Sequence, residues 1–125
     1  MESTMFLFAT SNVHKLNEIR EMLPEGFQIV GLKEAGIDAD IAESGSTFTE
    51  NALLKARFAF RLKGGNVIAD DSGLEVSALH GCPGVHSARY AGLPSSDEKN
   101  RQKLLTELSD ITNRKARFVT IIALI

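Results

Sequence analysis

Two adjacent acidic residues, Asp70 and Asp71, carry the clearest chemical signal in the sequence. They follow a short apolar run at 67–69 and precede Ser72 and Gly73. The apolar run predicts a buried strand, and α/β proteins keep their chemistry where strands end. Carboxylates at such a position can bind Mg²⁺ or accept a proton from water. Because consecutive residues of a strand point to opposite faces, we expect Asp70 and Asp71 to have different roles.

A polar cluster, Thr10-Ser11-Asn12, separates an apolar run at 5–9 from a predicted helix over 14–23. The apolar run is typical of a strand that is buried on both faces. Backbone N–H groups and the dipole at a helix start favour an anion, and Lys15 adds a cation. One interpretation is therefore a phosphate site. The other is helix capping by Ser11 or Asn12, with Lys15 in solvent.

Glu43 lies in a glycine-containing loop that precedes a second predicted helix. Thr47 and Glu50 have the spacing of a capping box, so this helix should begin near 48 and end before the glycines at 64 and 65. Glu43 is either a third oxygen ligand or a loop carboxylate in water. Lys55 is either a functional cation or a lysine on the solvated helix surface.

The remaining segments predict a strand at 66–71, a half-buried strand at 74–78, a loop at 81–92, a helix near 96–108 and a last strand from 117. The helix should bury Leu104, Leu105 and Leu108. This order of elements predicts a single α/β or α+β domain over 1–125 with a mixed sheet.

The composition excludes several classes of protein. A net charge of −2 argues against a nucleic-acid polymer as partner. A single cysteine, Cys82, is typical of a reducing compartment, and no apolar run approaches the roughly 20 residues of a membrane span. The first residues lack the features of a signal peptide, so the cytoplasm is the expected location.

Together the acidic, basic and polar residues indicate water attack on a nucleotide phosphate with Mg²⁺ as cofactor. Carboxylates supply the hard ligands that Mg²⁺ prefers, usually together with substrate phosphates, and Ser72 can donate a hydrogen bond to a phosphate oxygen. The sequence contains neither a P-loop nor a dinucleotide fingerprint. With one cysteine and three scattered histidines, it predicts no zinc site.

Four ordered segments resemble motifs of the inosine triphosphate pyrophosphatase family, and the resemblance covers nearly the whole chain. They are Thr10-Ser11-Asn12-Val13-His14-Lys15, residues 43–52 with Lys55, residues 70–76 and residues 84–92. The resemblance implies hydrolysis of inosine, deoxyinosine and xanthosine triphosphates to a monophosphate and pyrophosphate, with Mg²⁺ as cofactor and a homodimer as the assembly. It also implies an elongated mixed β-sheet flanked by helices, in two lobes with an active-site cleft.

The resemblance further implies roles for individual residues. Asp71 is the expected catalytic proton acceptor. Glu43, Asp71 and Asp70 are the expected metal ligands. The expected substrate-binding residues are Thr10, Ser11, Asn12, Val13, His14, Lys15, Lys55 and Ser72.

The sequence also departs from the family pattern. His86 stands where a tyrosine is common, and two base-pocket motifs that follow later in the family, Phe-Gly-Tyr-Asp-Pro and Ser-His-Arg, do not occur. We therefore expect the N-terminal portion of such an enzyme, with an uncovered sheet edge and apolar surface. Two other functions stay open: a nucleotide-binding or assembly module without turnover, and a phosphohydrolase acting on simpler esters.

Overall fold

A computed structural model describes residues 4–38 and 41–125 of the chain. Part of the N-terminal stretch that argued against a signal peptide, residues 1–3, lies outside the described residues. The strands are β1 (Thr4–Phe8), β2 (Phe27–Val30), β3 (Asn66–Val76) and β4 (Ala116–Leu124). The α-helices are α1 (Val13–Met22), α2 (Phe48–Lys63) and α3 (Asp97–Glu107), and Ser77–Leu79 and Gly84–Arg89 form short 3-10 helices.

The four strands form one sheet in the order β2-β1-β3-β4. Strand β1 is parallel to both β2 and β3, with Phe8 opposite Ile68 in the second pair. Val67 and Ile125 exchange both backbone hydrogen bonds, at 3.0 and 2.9 Å, which is the pattern of an antiparallel pair. The predicted mixed sheet flanked by helices is therefore confirmed.

By its internal contacts the chain divides into two compact units. Of the described residues, the first contains 4–38, 41–45, 49–70 and 122–125, and the second contains 46–48 and 71–121. The core of the first unit forms around Phe8, Leu16 and Ile29, with Phe6, Ile19 and Leu23 packed against them. Leu16 and Ile19 of α1 and Leu23, which caps its end, recur at helical spacing. They therefore reach this core from one face of the helix.

Helix α2 presents small residues to its neighbours. Ala52, Ala56 and Ala59 lie one turn apart and are fully buried, so other parts of the chain approach the α2 backbone closely. The helix begins at Phe48, as the capping-box spacing predicted, and Gly64 follows its end with a positive φ of 65°. This backbone conformation suits glycine, which has no Cβ.

Strand β3 is longer than the sequence predicted. The Ser72-Gly73 step was expected to end one strand, but the strand continues unbroken to Val76. Two cross-strand pairs with β4 hold this second half: Ser72 Oγ lies 3.0 Å from Thr120 Oγ1, and Arg117 donates to Glu75 at 2.6 Å. Such pairs stabilise a strand against its local turn propensity.

The predicted burial of Leu105 in α3 is wrong, because its side chain is 61% exposed. Leu108 is buried and Leu104 is half-buried. These two residues are four apart and share one helix face, whereas Leu105 points away from that face.

Apolar surface is exposed on two strands. Phe118, Ile122 and Leu124 of β4 are about two-thirds exposed, and β4 lies at one edge of the described sheet. This confirms the expected exposed apolar surface. Met5 is also exposed, so the prediction that β1 is buried on both faces along its whole length is wrong. None of the helices that the structure describes is long and apolar enough to cross a membrane.

Candidate active site

The carboxyl ends of β1 and β3 bring two predicted site segments together in the first unit. Strands β1 and β3 are parallel, and Phe8 lies opposite Ile68. Thr10 and Asp70, each two residues further along the chain, therefore lie at the same end of the sheet. Lys15 Nζ donates to Asp70 Oδ2 at 2.9 Å. The alternative in which Lys15 is simply solvated is therefore wrong, although its side chain is still 37% exposed.

Asn12, rather than Ser11, is the N-cap of α1. Its Oδ1 accepts hydrogen bonds from the backbone N–H groups of His14 and Lys15, at 3.0 and 3.2 Å. Thr10 Oγ1 in turn accepts from the backbone N–H of Asn12 at 3.1 Å. The capping interpretation is thus confirmed for Asn12. Ser11, Val13 and His14 are exposed around it.

A tight turn after β2 supports this end of the sheet. The Leu32 N–H donates to the Thr10 carbonyl at 3.1 Å. A Cβ on Gly31 would lie 2.4 Å from Leu16 Cδ1 and 3.3 Å from that carbonyl oxygen, so a larger residue does not fit. The hydrogen bond from Arg20, with a second from the Gly31 N–H, lowers the pKa of Glu34 and keeps this carboxylate charged beside the turn.

Glu43 and Lys55 form a second ion pair in the first unit. Lys55 Nζ lies 2.8 Å from Glu43 Oε1. Lys55 is buried, with only 9% of its surface exposed, so the interpretation of a solvated surface lysine is wrong. Burying an ammonium group is costly unless a counter-charge compensates it, and Glu43 supplies that charge.

Asn51 anchors the loop that carries Glu43, a role that the sequence reasoning missed. Its side chain is fully buried, its Oδ1 accepts from the Gly45 N–H at 2.8 Å, and its Nδ2 donates to the Gly45 carbonyl at 3.4 Å. A Cβ on Gly45 would lie 2.7 Å from Asn51 Oδ1. An asparagine one position before the alanine stripe of α2 was the available signal, because a polar residue beside a buried face needs a partner.

Asp71 and Ser72 belong to the second unit. Asp71 is 6% exposed, so its carboxylate is buried. The Ser72 hydroxyl is bonded to Thr120. A buried carboxylate is typical of a functional or strongly held group.

The donor chemistry of these residues fits Mg²⁺. Within residues 4–38 and 41–125, no three histidine, cysteine or acidic side chains form a ready metal cluster. Mg²⁺ does not need one, because it usually binds one or two carboxylates and completes its shell with water and substrate phosphates. Asp70 and Glu43 are carboxylates of this kind, and each is paired with a lysine.

The chain is similar to known proteins over nearly its whole length. The Ham1 family profile matches residues 6–125. A relative from Porphyromonas gingivalis strain ATCC BAA-308 / W83, named dITP/XTP pyrophosphatase, is 54% identical over 120 residues. That alignment covers 95% of this chain and 62% of the relative. The family resemblance read from the four sequence motifs is thereby confirmed.

Two solved structures have the same fold. The Staphylococcus aureus Ham1 protein aligns with a TM-score of 0.87 at 45% identity, and a HAM1 protein from Coxiella burnetii aligns with a TM-score of 0.90 at 41% identity. Each alignment covers 98% of this chain and 63% of the other, so the chain spans less than two-thirds of the proteins it matches. The chain belongs to the Ham1 family.

Proposed function

We propose that the chain contributes to Mg²⁺-dependent hydrolysis of deaminated purine nucleoside triphosphates, which are inosine, deoxyinosine and xanthosine triphosphate. Water adds across the anhydride bond between the α- and β-phosphates, and the products are a monophosphate, pyrophosphate and a proton. The observation that carries the proposal is the Lys15–Asp70 pair beside the capped start of α1, at the carboxyl ends of two parallel strands. Ligands of α/β proteins bind at such an end.

The first unit supplies the proposed phosphate contacts. The exposed part of Lys15 leaves its ammonium, which has three donors, able to hold a phosphate oxygen while it stays bonded to Asp70. The Thr10 and Asn12 side chains fix the start of α1 next to it. Lys55 is the second proposed cation, and Ser11, Val13 and His14 are further proposed substrate contacts of this unit. Ser72, which belongs to the second unit, is also a proposed substrate contact.

The carboxylates have the proposed metal and proton-transfer roles. Glu43, Asp70 and Asp71 would hold the ion, and Asp71 accepts the proton from the attacking water. When bound, Mg²⁺ would neutralise phosphate charge and increase the acidity of a coordinated water. Asp70 keeps Lys15 in place through their 2.9 Å contact, which is why we assign proton acceptance to Asp71.

The substrate class follows the name of the Porphyromonas gingivalis relative, dITP/XTP pyrophosphatase. A second candidate, nucleotide binding without turnover, is favoured by one observation: the chain spans only 62% of that relative. A homodimer and a cytoplasmic location, both expected from the sequence, remain part of the proposal. Sedimentation of the purified chain tests the dimer.

A nucleotide panel with one variant tests the proposed function. We expect turnover of inosine triphosphate to exceed that of adenosine triphosphate and to require Mg²⁺. Asp71→Asn should lower kcat at least about 100-fold, the usual size of a general-base effect, whereas the exposed Asp110→Asn should leave it unchanged. Equal rates for Asp71→Asn and the unmodified chain would remove Asp71 from the mechanism. Tight binding without hydrolysis would favour the second candidate.

A further inference from the structure

The backbone that follows Asp71 and Ser72 is held by a serine from a distant loop. Ser87 Oγ accepts a hydrogen bond from the Leu74 N–H at 2.9 Å and donates one to the Gly84 carbonyl at 2.6 Å. A single hydroxyl therefore joins β3 to the 3-10 helix Gly84–Arg89. This joint lies three residues after Asp71, and all of these groups belong to the second unit.

Gly73 brings the loop and the strand into direct contact. A Cβ at this position would lie 2.3 Å from the Gly84 carbonyl oxygen, 2.7 Å from Ser87 Oγ and 2.8 Å from a ring carbon of Phe48. The strand therefore has no space to shift towards the loop. The hydroxyl of the neighbouring Ser72 forms a hydrogen bond with the Thr120 hydroxyl of β4.

Helix α3 holds the loop that carries Ser87 through side-chain hydrogen bonds to residues 88–91. Asn100 accepts from the Ala91 N–H at 2.8 Å and donates to the Ala88 carbonyl at 3.0 Å. Lys103 Nζ donates to the Tyr90 carbonyl at 2.8 Å and lies 4.1 Å from the centre of the Tyr90 ring. Asn100 and Lys103 of α3 thus anchor the loop that carries Ser87.

We propose that Ser87 is a positioning residue, which sets the placement of Asp71 and Ser72 through the Leu74 N–H. The inference rests on the proposed function, because it assigns Ser87 to the reaction that Asp71 serves. Ser87 does not need to touch substrate for this role. Its hydroxyl holds the backbone N–H of Leu74, which lies three residues after Asp71 and two after Ser72. Small errors in the placement of such groups reduce the rate strongly.

Three serine variants of the full chain test the proposal. Ser87→Ala removes the joint, Ser87→Thr keeps the hydroxyl, and Ser109→Ala is the matched control at an exposed position. For Ser87→Ala we expect kcat for inosine triphosphate to fall about 10- to 100-fold, as for other supporting hydrogen bonds of a site. We expect KM to change less than about threefold, because most of the proposed phosphate contacts belong to the first unit and not to the segment that Ser87 holds. Ser87→Thr should keep at least half of the activity.

Amide hydrogen exchange gives a readout besides activity. The Leu74 N–H loses its acceptor in Ser87→Ala, so it should exchange faster than in the unmodified chain and in Ser109→Ala. If Ser87→Ala does not fold, Ser87→Cys replaces it under the same criteria, because a thiol keeps the volume and is a weak acceptor. If the unmodified chain binds without turnover, the Mg²⁺-dependent affinity for inosine triphosphate replaces kcat.

Two results would overturn the inference while leaving the proposed function intact. One is an active unmodified chain whose Ser87→Ala variant keeps kcat within twofold despite faster exchange at Leu74. The other is a change in KM alone, which would mean that Ser87 acts on substrate binding and not on the step that Asp71 serves. An unmodified chain that neither binds nor hydrolyses the nucleotide with Mg²⁺ would overturn the proposed function, and the inference with it.

Discussion

Replacing Asn51 by alanine should destabilise the chain, because Asn51 is the buried anchor of the Glu43 loop. The variant loses the 2.8 Å bond from the Gly45 N–H and the weaker 3.4 Å bond to the Gly45 carbonyl. An unsatisfied buried donor costs about 1–3 kcal/mol. Gly45 is only half-buried, so water can partly replace the asparagine, and we expect the lower part of that range.

Two smaller contributions also change the free energy of unfolding of this variant. Removing a fully buried amide leaves a small cavity that adds about 1 kcal/mol, and alanine regains roughly 0.5 kcal/mol of helix propensity. The net loss in the free energy of unfolding should be about 2 kcal/mol, a large share of the roughly 5–15 kcal/mol of a typical domain. For a chain of this length that corresponds to a decrease in Tm of roughly 8 °C.

Urea and thermal unfolding measure this loss directly. Asn17→Ala is the matched control, because Asn17 is an exposed residue of another helix, and there the propensity gain should leave stability unchanged or slightly higher. A loss below about 0.5 kcal/mol in Asn51→Ala would contradict the reasoning. It would show that the Asn51–Gly45 bonds contribute little to holding the Glu43 loop.

Two further predictions concern Tyr90 and Lys15. Tyr90 is the only tyrosine and the chain has no tryptophan, so tyrosinate absorbance reports it alone. Burial, followed by the hydrogen bond to Glu107, raises the pKa of Tyr90 to about 12. The folded state then holds this proton more tightly than the unfolded chain, whose tyrosine pKa is about 10. The stabilisation is therefore complete below about pH 10 and is lost as the pH rises towards 12. Glu107→Gln should lower the midpoint of the tyrosinate absorbance titration only in part, because burial is the larger cause of the raised pKa. A midpoint near pH 10 in the folded, unmodified chain would contradict this prediction. Lys15→Met should weaken inosine triphosphate binding about tenfold, the worth of one charge-assisted hydrogen bond. The Lys33→Met variant, changed at an exposed position, should bind inosine triphosphate as tightly as the unmodified chain. An unchanged affinity in Lys15→Met would mean that Lys15 pairs with Asp70 and does not bind the phosphate.

Local sequence patterns predicted the elements well and the partners of polar residues poorly. The apolar spacing of Leu16, Ile19 and Leu23 located α1 and its core face, because that signal is set by helix geometry alone. The Asp70-Asp71-Ser72-Gly73 segment was read as a strand end, since its residues favour turns. The strand continues because Thr120 and Ser87 supply partners from positions far along the chain.

The same limit applies to the candidate site. The four motifs suggested its residues, but local patterns left open whether Lys15 and Lys55 are functional cations or solvated lysines, because a side chain's partner depends on tertiary structure. The structure pairs them with Asp70 and Glu43. Asn51 was missed for a related reason, since its importance arises from a loop backbone that packs onto α2.

Product identification tests the central claim most directly. The purified chain is incubated with inosine triphosphate and Mg²⁺, and the products are followed by ³¹P NMR, with a Mg²⁺-free sample as the reference. We predict that inosine monophosphate and pyrophosphate appear together in equal amounts and only with Mg²⁺. Release of inosine diphosphate and orthophosphate, or equal rates with and without the metal, would contradict the account.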